Sequence, residues 1–82
     1  MQNYPNPFNP NTTIKYQLST QSHVTLKVFD VLGREVAILV NGLEEAGYKT
    51  VKFDAGNLTS GSYYYRLQAG TYTATKKLLL LR

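Results

Sequence analysis

Residues 23–40, HVTLKVFDVLGREVAILV, restrict the fold more than any other stretch of the chain. Val24, Leu26 and Val28 alternate with Thr25, Lys27 and Phe29, the period of two that sets one side of a strand against a core and the other in water. Asp30-Val31-Leu32-Gly33 supplies the reversal. Asp suits the first position of a type I turn and Gly the last, where a left-handed backbone lets the next strand begin. Residues 36–40 then return with Val36, Ile38 and Val40 on one side and Ala37 and Leu39 on the other. Apolar on both faces, this segment is expected near the middle of a sandwich.

The remaining segments repeat the same period. Residues 12–18 form a strand with Ile14, Tyr16 and Leu18 on one face and Lys15 and Gln17 on the other. Ser19 to Ser22 is a polar turn, and residues 41–47, with Asn41-Gly42 and Glu44-Glu45-Ala46-Gly47, read as a loop because they lack periodicity. Residues 48–54 form the next strand, with Val51 and Phe53 inward. Leu58, Gly61 and Tyr63 are spaced as in a tyrosine corner, where a Tyr at the start of a strand returns its hydroxyl to the backbone a few residues upstream. Tyr63, Tyr65 and Leu67 then share one face and Tyr64, Arg66 and Gln68 the other. Ala69-Gly70 turns the chain into a last strand over residues 71–82, with Leu78 and Leu80 opposite Leu79 and Leu81. About seven short strands, turn signals every 8–12 residues or so and no helical period indicate an all-β, immunoglobulin-like β-sandwich of antiparallel strands.

At 82 residues the chain is one domain, 1–82, which buries roughly 60% of its unfolded surface. Residues 1–11 are an extended lead-in, since Pro5, Pro7 and Pro10 each remove a backbone donor; residues 12–82 carry the sandwich. Tyr4 and Phe8 are too apolar for a free linker and are expected against it. Met1 falls almost directly on structured sequence, as expected of the last domain of a longer chain. The chain has no cysteine, which excludes a disulfide scaffold and thiolate metal sites. No apolar run approaches the roughly 20 residues of a transmembrane segment.

Chemistry-bearing patterns are few. The net charge is +4, and Lys15, Lys27, Lys49, Lys52, Arg66 and Lys76 are scattered over several strands, unlike the clustered charge of a nucleic-acid binder. His23 is the single histidine, and no pattern brings Asp to it. Asp30 is explained by its turn and Glu44 with Glu45 by a solvated loop, which leaves no carboxylate pair across a cleft, and no phosphate loop or Ser nucleophile motif is present. No catalytic residue, metal ligand or cofactor is expected: Asp54, Asn57 and nearby carbonyls offer oxygen atoms to calcium but lack the acidic density of a calcium loop. Asn11-Thr12-Thr13 and Asn57-Leu58-Thr59 match the N-glycosylation acceptor pattern. Tyr64 and Tyr72, expected to face away from the core with Arg66, offer a stacking surface for sugars or bases, and cross-strand aromatic pairing on the outer sheet face explains them more simply. A carbohydrate- or protein-binding accessory module and a structural spacer are therefore both alternatives to consider.

YPNPFNP at residues 4–10, FDVLGREV at 29–36, LTSGSYYYRL at 58–67 and the basic, apolar terminus KKLLLLR at 76–82 resemble, in this order, the type A C-terminal sorting domain of the type IX secretion system. The resemblance covers nearly the whole chain, and the same fold is similar to the immunoglobulin-like domain of flagellar hook-capping proteins. It implies an address and not a catalyst: a domain at the end of a cargo protein in transit through the periplasm to the cell surface or beyond. Its implied partners are the outer-membrane translocon, a sortase-like peptidase and the upstream cargo, without nucleic acid. The family's terminal motif suggests recognition by Lys76, Lys77, Leu78, Leu79, Leu80, Leu81 and Arg82. Asp30, Gly33, Arg34, Leu58, Gly61 and Tyr63 are the matching structural positions.

Overall fold

The computed structural model describes residues 3–4, 11–56 and 58–80. The expectations for Phe8, Asn57, Leu81 and Arg82 fall outside them. Two antiparallel sheets enclose one core. The strands are β1 (Asn3–Tyr4), β2 (Asn11–Leu18), β3 (Ser22–Asp30), β4 (Glu35–Glu44), β5 (Gly47–Asp54), β6 (Gly61–Ala69) and β7 (Tyr72–Leu80). Six of them run eight to ten residues, and β1 has two. One sheet has the order β1-β2-β5 and the other β4-β3-β6-β7, so the connections from β2 to β3, β4 to β5 and β5 to β6 each change sheet.

The alternation in the sequence becomes the two sides of these sheets. Ile14, Tyr16 and Leu18 of β2 face Val24, Leu26 and Val28 of β3, joined by Phe53, Tyr63, Tyr65, Leu67, Leu78 and Leu80 in one cluster. Val24, Leu26 and Val28 are fully buried, and each such side chain contributes about 1.5–3 kcal/mol of apolar transfer free energy. β3 is one of two inner strands of its sheet, paired with β4 on one side and β6 on the other.

The returning strand of the hairpin is not central. Among the described residues β4 is an edge strand, and its register against β3 slips twice. Leu26 pairs with Val40 while Lys27 pairs with Ile38, which leaves Leu39 unmatched; Val28 pairs with Ala37 while Phe29 pairs with Glu35, which leaves Val36 unmatched. Each bulge inserts a residue and shifts the alternation by one. Apolar residues at successive positions therefore arise from bulging at an edge, where a flat strand would otherwise template further pairing. Val36, Ala37, Leu39 and Val40 pack partly on the core, whereas Ile38 is exposed.

Residues 41–47 are also more regular than their composition suggests. Asn41 to Glu44 continue β4 along Thr25 to Ser22, and Gly47 already opens β5. Only Glu45 and Ala46 lie between the strands. The Tyr16 hydroxyl donates to Glu44 Oε1 at 2.6 Å, which ties β2 to the end of β4 across the sandwich. Burial, and then this bond to a carboxylate, raise the Tyr16 phenol above the usual tyrosine range.

Candidate functional site

The register collects the sequence motifs at one end of the sandwich. Asp30, the last residue of β3, lies opposite Tyr63, and Tyr63 lies opposite Leu78; Gly61 lies opposite Leu80. The β3–β4 turn, the β5–β6 loop and the C-terminal end of β7 therefore share a pole. The opposite pole carries Ser19 to Gln21, Glu45 with Ala46, and Gly70 with Thr71.

At the first pole the β3–β4 turn is closed by its own polar groups. Gly33 N–H donates to the Asp30 carbonyl at 3.0 Å, and Asp30 N–H donates to the Arg34 carbonyl at 3.0 Å. Asp30 Oδ1 accepts from Leu32 N–H and Arg34 N–H, both at 2.9 Å, and Oδ2 accepts from Arg34 Nε at 2.8 Å. The backbone bond from Arg34, with help from its guanidinium and from Leu32 N–H, holds the Asp30 carboxyl below its ordinary value against a smaller desolvation effect. Gly33 adopts φ +82°, where a side chain would be strained. Val31 and Leu32 project from this turn, 65% and 74% exposed.

The loop before β6 is fixed in a different way. The Tyr63 hydroxyl donates to the Thr59 carbonyl at 2.8 Å, the geometry of a tyrosine corner, and Leu58 N–H donates to the Ala55 carbonyl at 3.0 Å. Leu58 packs partly on the core, and Gly61 has φ +148° at the start of β6. Between this loop and the β3–β4 turn lies an open cleft of about 520 Å³.

Within β7 the basic and apolar residues separate by side. Leu78 and Leu80 are 3% and 4% exposed and belong to the core, whereas Leu79, 39% exposed, lies on the outer face with Lys77. Lys76 pairs with Tyr65, in phase with Leu78, yet it is exposed because the core covers only the C-terminal part of β7. β7 is an edge strand among the described residues, paired only with β6. Residues 76–80 are thus divided between the two sides of β7.

Nor do Tyr64 and Tyr72 form a shared stacking platform. Tyr64 is on the outer face beside Lys77, while Tyr72 pairs with Ala69, which packs on the core, and so lies in the opposite phase. Arg66 stacks over Phe29, 4.7 Å from the ring centroid, on the face that also carries Tyr64, the cross-strand partner of Phe29. Lys27 meets Glu35 at 3.1 Å across β3 and β4, a half-exposed pair of small energetic weight. His23 is exposed, with Nε2 3.2 Å from Asn41 Oδ1, and Asp54 Oδ1 accepts from Gly56 N–H at 2.9 Å in a local turn. Among the described residues no three His, Asp or Glu side chains come together as a metal site, and no helix is long and apolar enough to cross a membrane.

The arrangement is a small sandwich with its ordered turns and its C-terminal strand at one end, and over residues 2–81 the chain matches the family described as the secretion system C-terminal sorting domain. It belongs to that family. No curated protein matches the chain. As a type IX sorting domain it is a C-terminal signal that directs an upstream cargo toward the cell surface or outside, and it acts with the type IX secretion machinery. The family is one of signals and not of catalysts.

Proposed function

We propose that the export machinery reads this domain in its folded state, along the C-terminal part of β7, while the cargo is in the periplasm. One observation carries the reading. β7 is an edge strand in which Leu78 and Leu80 anchor the core while Leu79 and Lys77 face outward. An edge strand offers unpaired backbone groups to a partner strand, and outward side chains select the partner. Lys76 and Lys77 emerge on opposite sides of that edge and steer it toward acidic surface on the translocon. Leu81 and Arg82 belong to the same terminal sequence motif, and a sortase-like peptidase then separates cargo from signal.

The test is charge reversal, Lys76→Glu with Lys77→Glu, in a reporter fused to the domain and expressed in a type IX host. Both lysines are exposed, so the variant domain keeps its unfolding free energy within about 0.5 kcal/mol. Export falls if the lysines steer recognition, and export at the parent level removes the steering role. The stacking surface considered for the carbohydrate-binding alternative combined Tyr64 and Tyr72, which lie in opposite phases of β6 and β7.

A further inference from the structure

We infer that Val31 and Leu32 are a docking knuckle for a protein of the export machinery, one that presents an apolar socket to this pole of the sandwich. The inference rests on reading the chain as a sorting signal, and it adds a second contact to the one on β7. The turn that carries these side chains is shaped without them: its hydrogen bonds use Asp30, Gly33, Arg34 and main-chain groups only. Two adjacent aliphatic side chains are nevertheless held in water, 65% and 74% exposed, on a backbone with little freedom left to lose when it binds. Preorganisation of this kind lowers the entropic cost of association.

Position decides the occupant. Asp30, Tyr63 and Leu78 stand in one cross-strand row, so the turn and the end of β7 lie two strand spacings apart, about 10 Å. One partner that receives the end of β7 therefore also meets Val31 and Leu32. Val31 and Leu32 themselves form one wall of the cleft of about 520 Å³, with Val36, Leu58 and Tyr63 on its other sides, and it gives that partner a place to return a side chain.

The experiment uses the reporter fused to the complete domain, in a type IX host, with extracellular reporter as the readout. The variant is Val31→Ser with Leu32→Ser, and a second variant, Val31→Ile with Leu32→Met, keeps the knuckle apolar. Purified domains are unfolded in urea in parallel. The expected result is a loss of export of about tenfold or more for the serine variant, as for truncation of a central contact, with an unchanged urea midpoint and export retained by the apolar variant. A serine variant exported like the parent overturns the inference while leaving the sorting reading intact. Equal loss of export in the serine and apolar variants also overturns it, since the contact would then not be apolar. A parent fusion retained by the cell overturns the sorting reading itself, and this inference with it.

Discussion

Neighbouring leucines of β7 should fail in different ways. Leu78 is 3% exposed in the core cluster and Leu79 is 39% exposed on the outer sheet face. Leu78→Ala removes buried methyl groups and leaves a cavity, a loss of about 2–5 kcal/mol for such a site. An 82-residue domain has roughly 4–12 kcal/mol of stability in all. The substitution therefore takes a large share, and at about 4–8 °C per kcal/mol for a domain this size it lowers Tm by at least about 8 °C. Leu79→Ser deletes no core contact and should stay within about 1 kcal/mol, the span of strand propensity at an exposed position. Urea and thermal unfolding followed by circular dichroism separate the two. If Leu79→Ser destabilises as much as Leu78→Ala, the register of β7 is wrong, and with it the division of this strand into an anchoring and a presenting side.

The tyrosine corner gives a second contrast. Tyr63→Phe removes the bond to the Thr59 carbonyl and should cost about 1 kcal/mol in urea unfolding, whereas Tyr65→Phe takes a hydroxyl out of a desolvated setting and should leave stability unchanged or raise it. The Asp30 turn gives a pH dependence. Its carboxyl is held low in the folded state, so its stabilisation is present above the unfolded carboxylate value of about 3.9 and is lost as the pH falls through the lower folded value. Asp30→Asn should accordingly be less stable than the parent at neutral pH, with the gap closing below about pH 4 when urea midpoints are compared along the series.

The sequence was most legible where one side of a strand is buried. Ile14, Tyr16 and Leu18, then Val24, Leu26 and Val28, then Tyr63, Tyr65 and Leu67 alternate because a strand places every second side chain in the core, and each of the nine is buried. The Asp30 to Gly33 turn was legible because its residue types perform local chemistry. β4 was misread for a physical reason: two bulges break the period of two, and a bulged edge imitates the composition of a central strand. Asn41 to Glu44 lack propensity and periodicity, yet pairing with β3 holds them extended, since tertiary pairing overrides local preference. The sides taken by Tyr64 and Tyr72, the stack of Arg66 on Phe29 and the bond from Tyr16 to Glu44 depend on registers between distant segments, which no single segment encodes. For the same reason the gathering of three motifs at one pole became visible only once Asp30, Tyr63 and Leu78 fell into one row.

The most direct test of the central claim is export of a reporter with a signal peptide at its start and residues 1–82 at its end, measured in a type IX host and in that host's translocon-deficient mutant. A folded, self-sufficient sorting signal predicts reporter at the surface or in the medium of the first strain and in the periplasm of the second. Folded reporter retained in the periplasm of both strains, or released equally by both, would contradict the account.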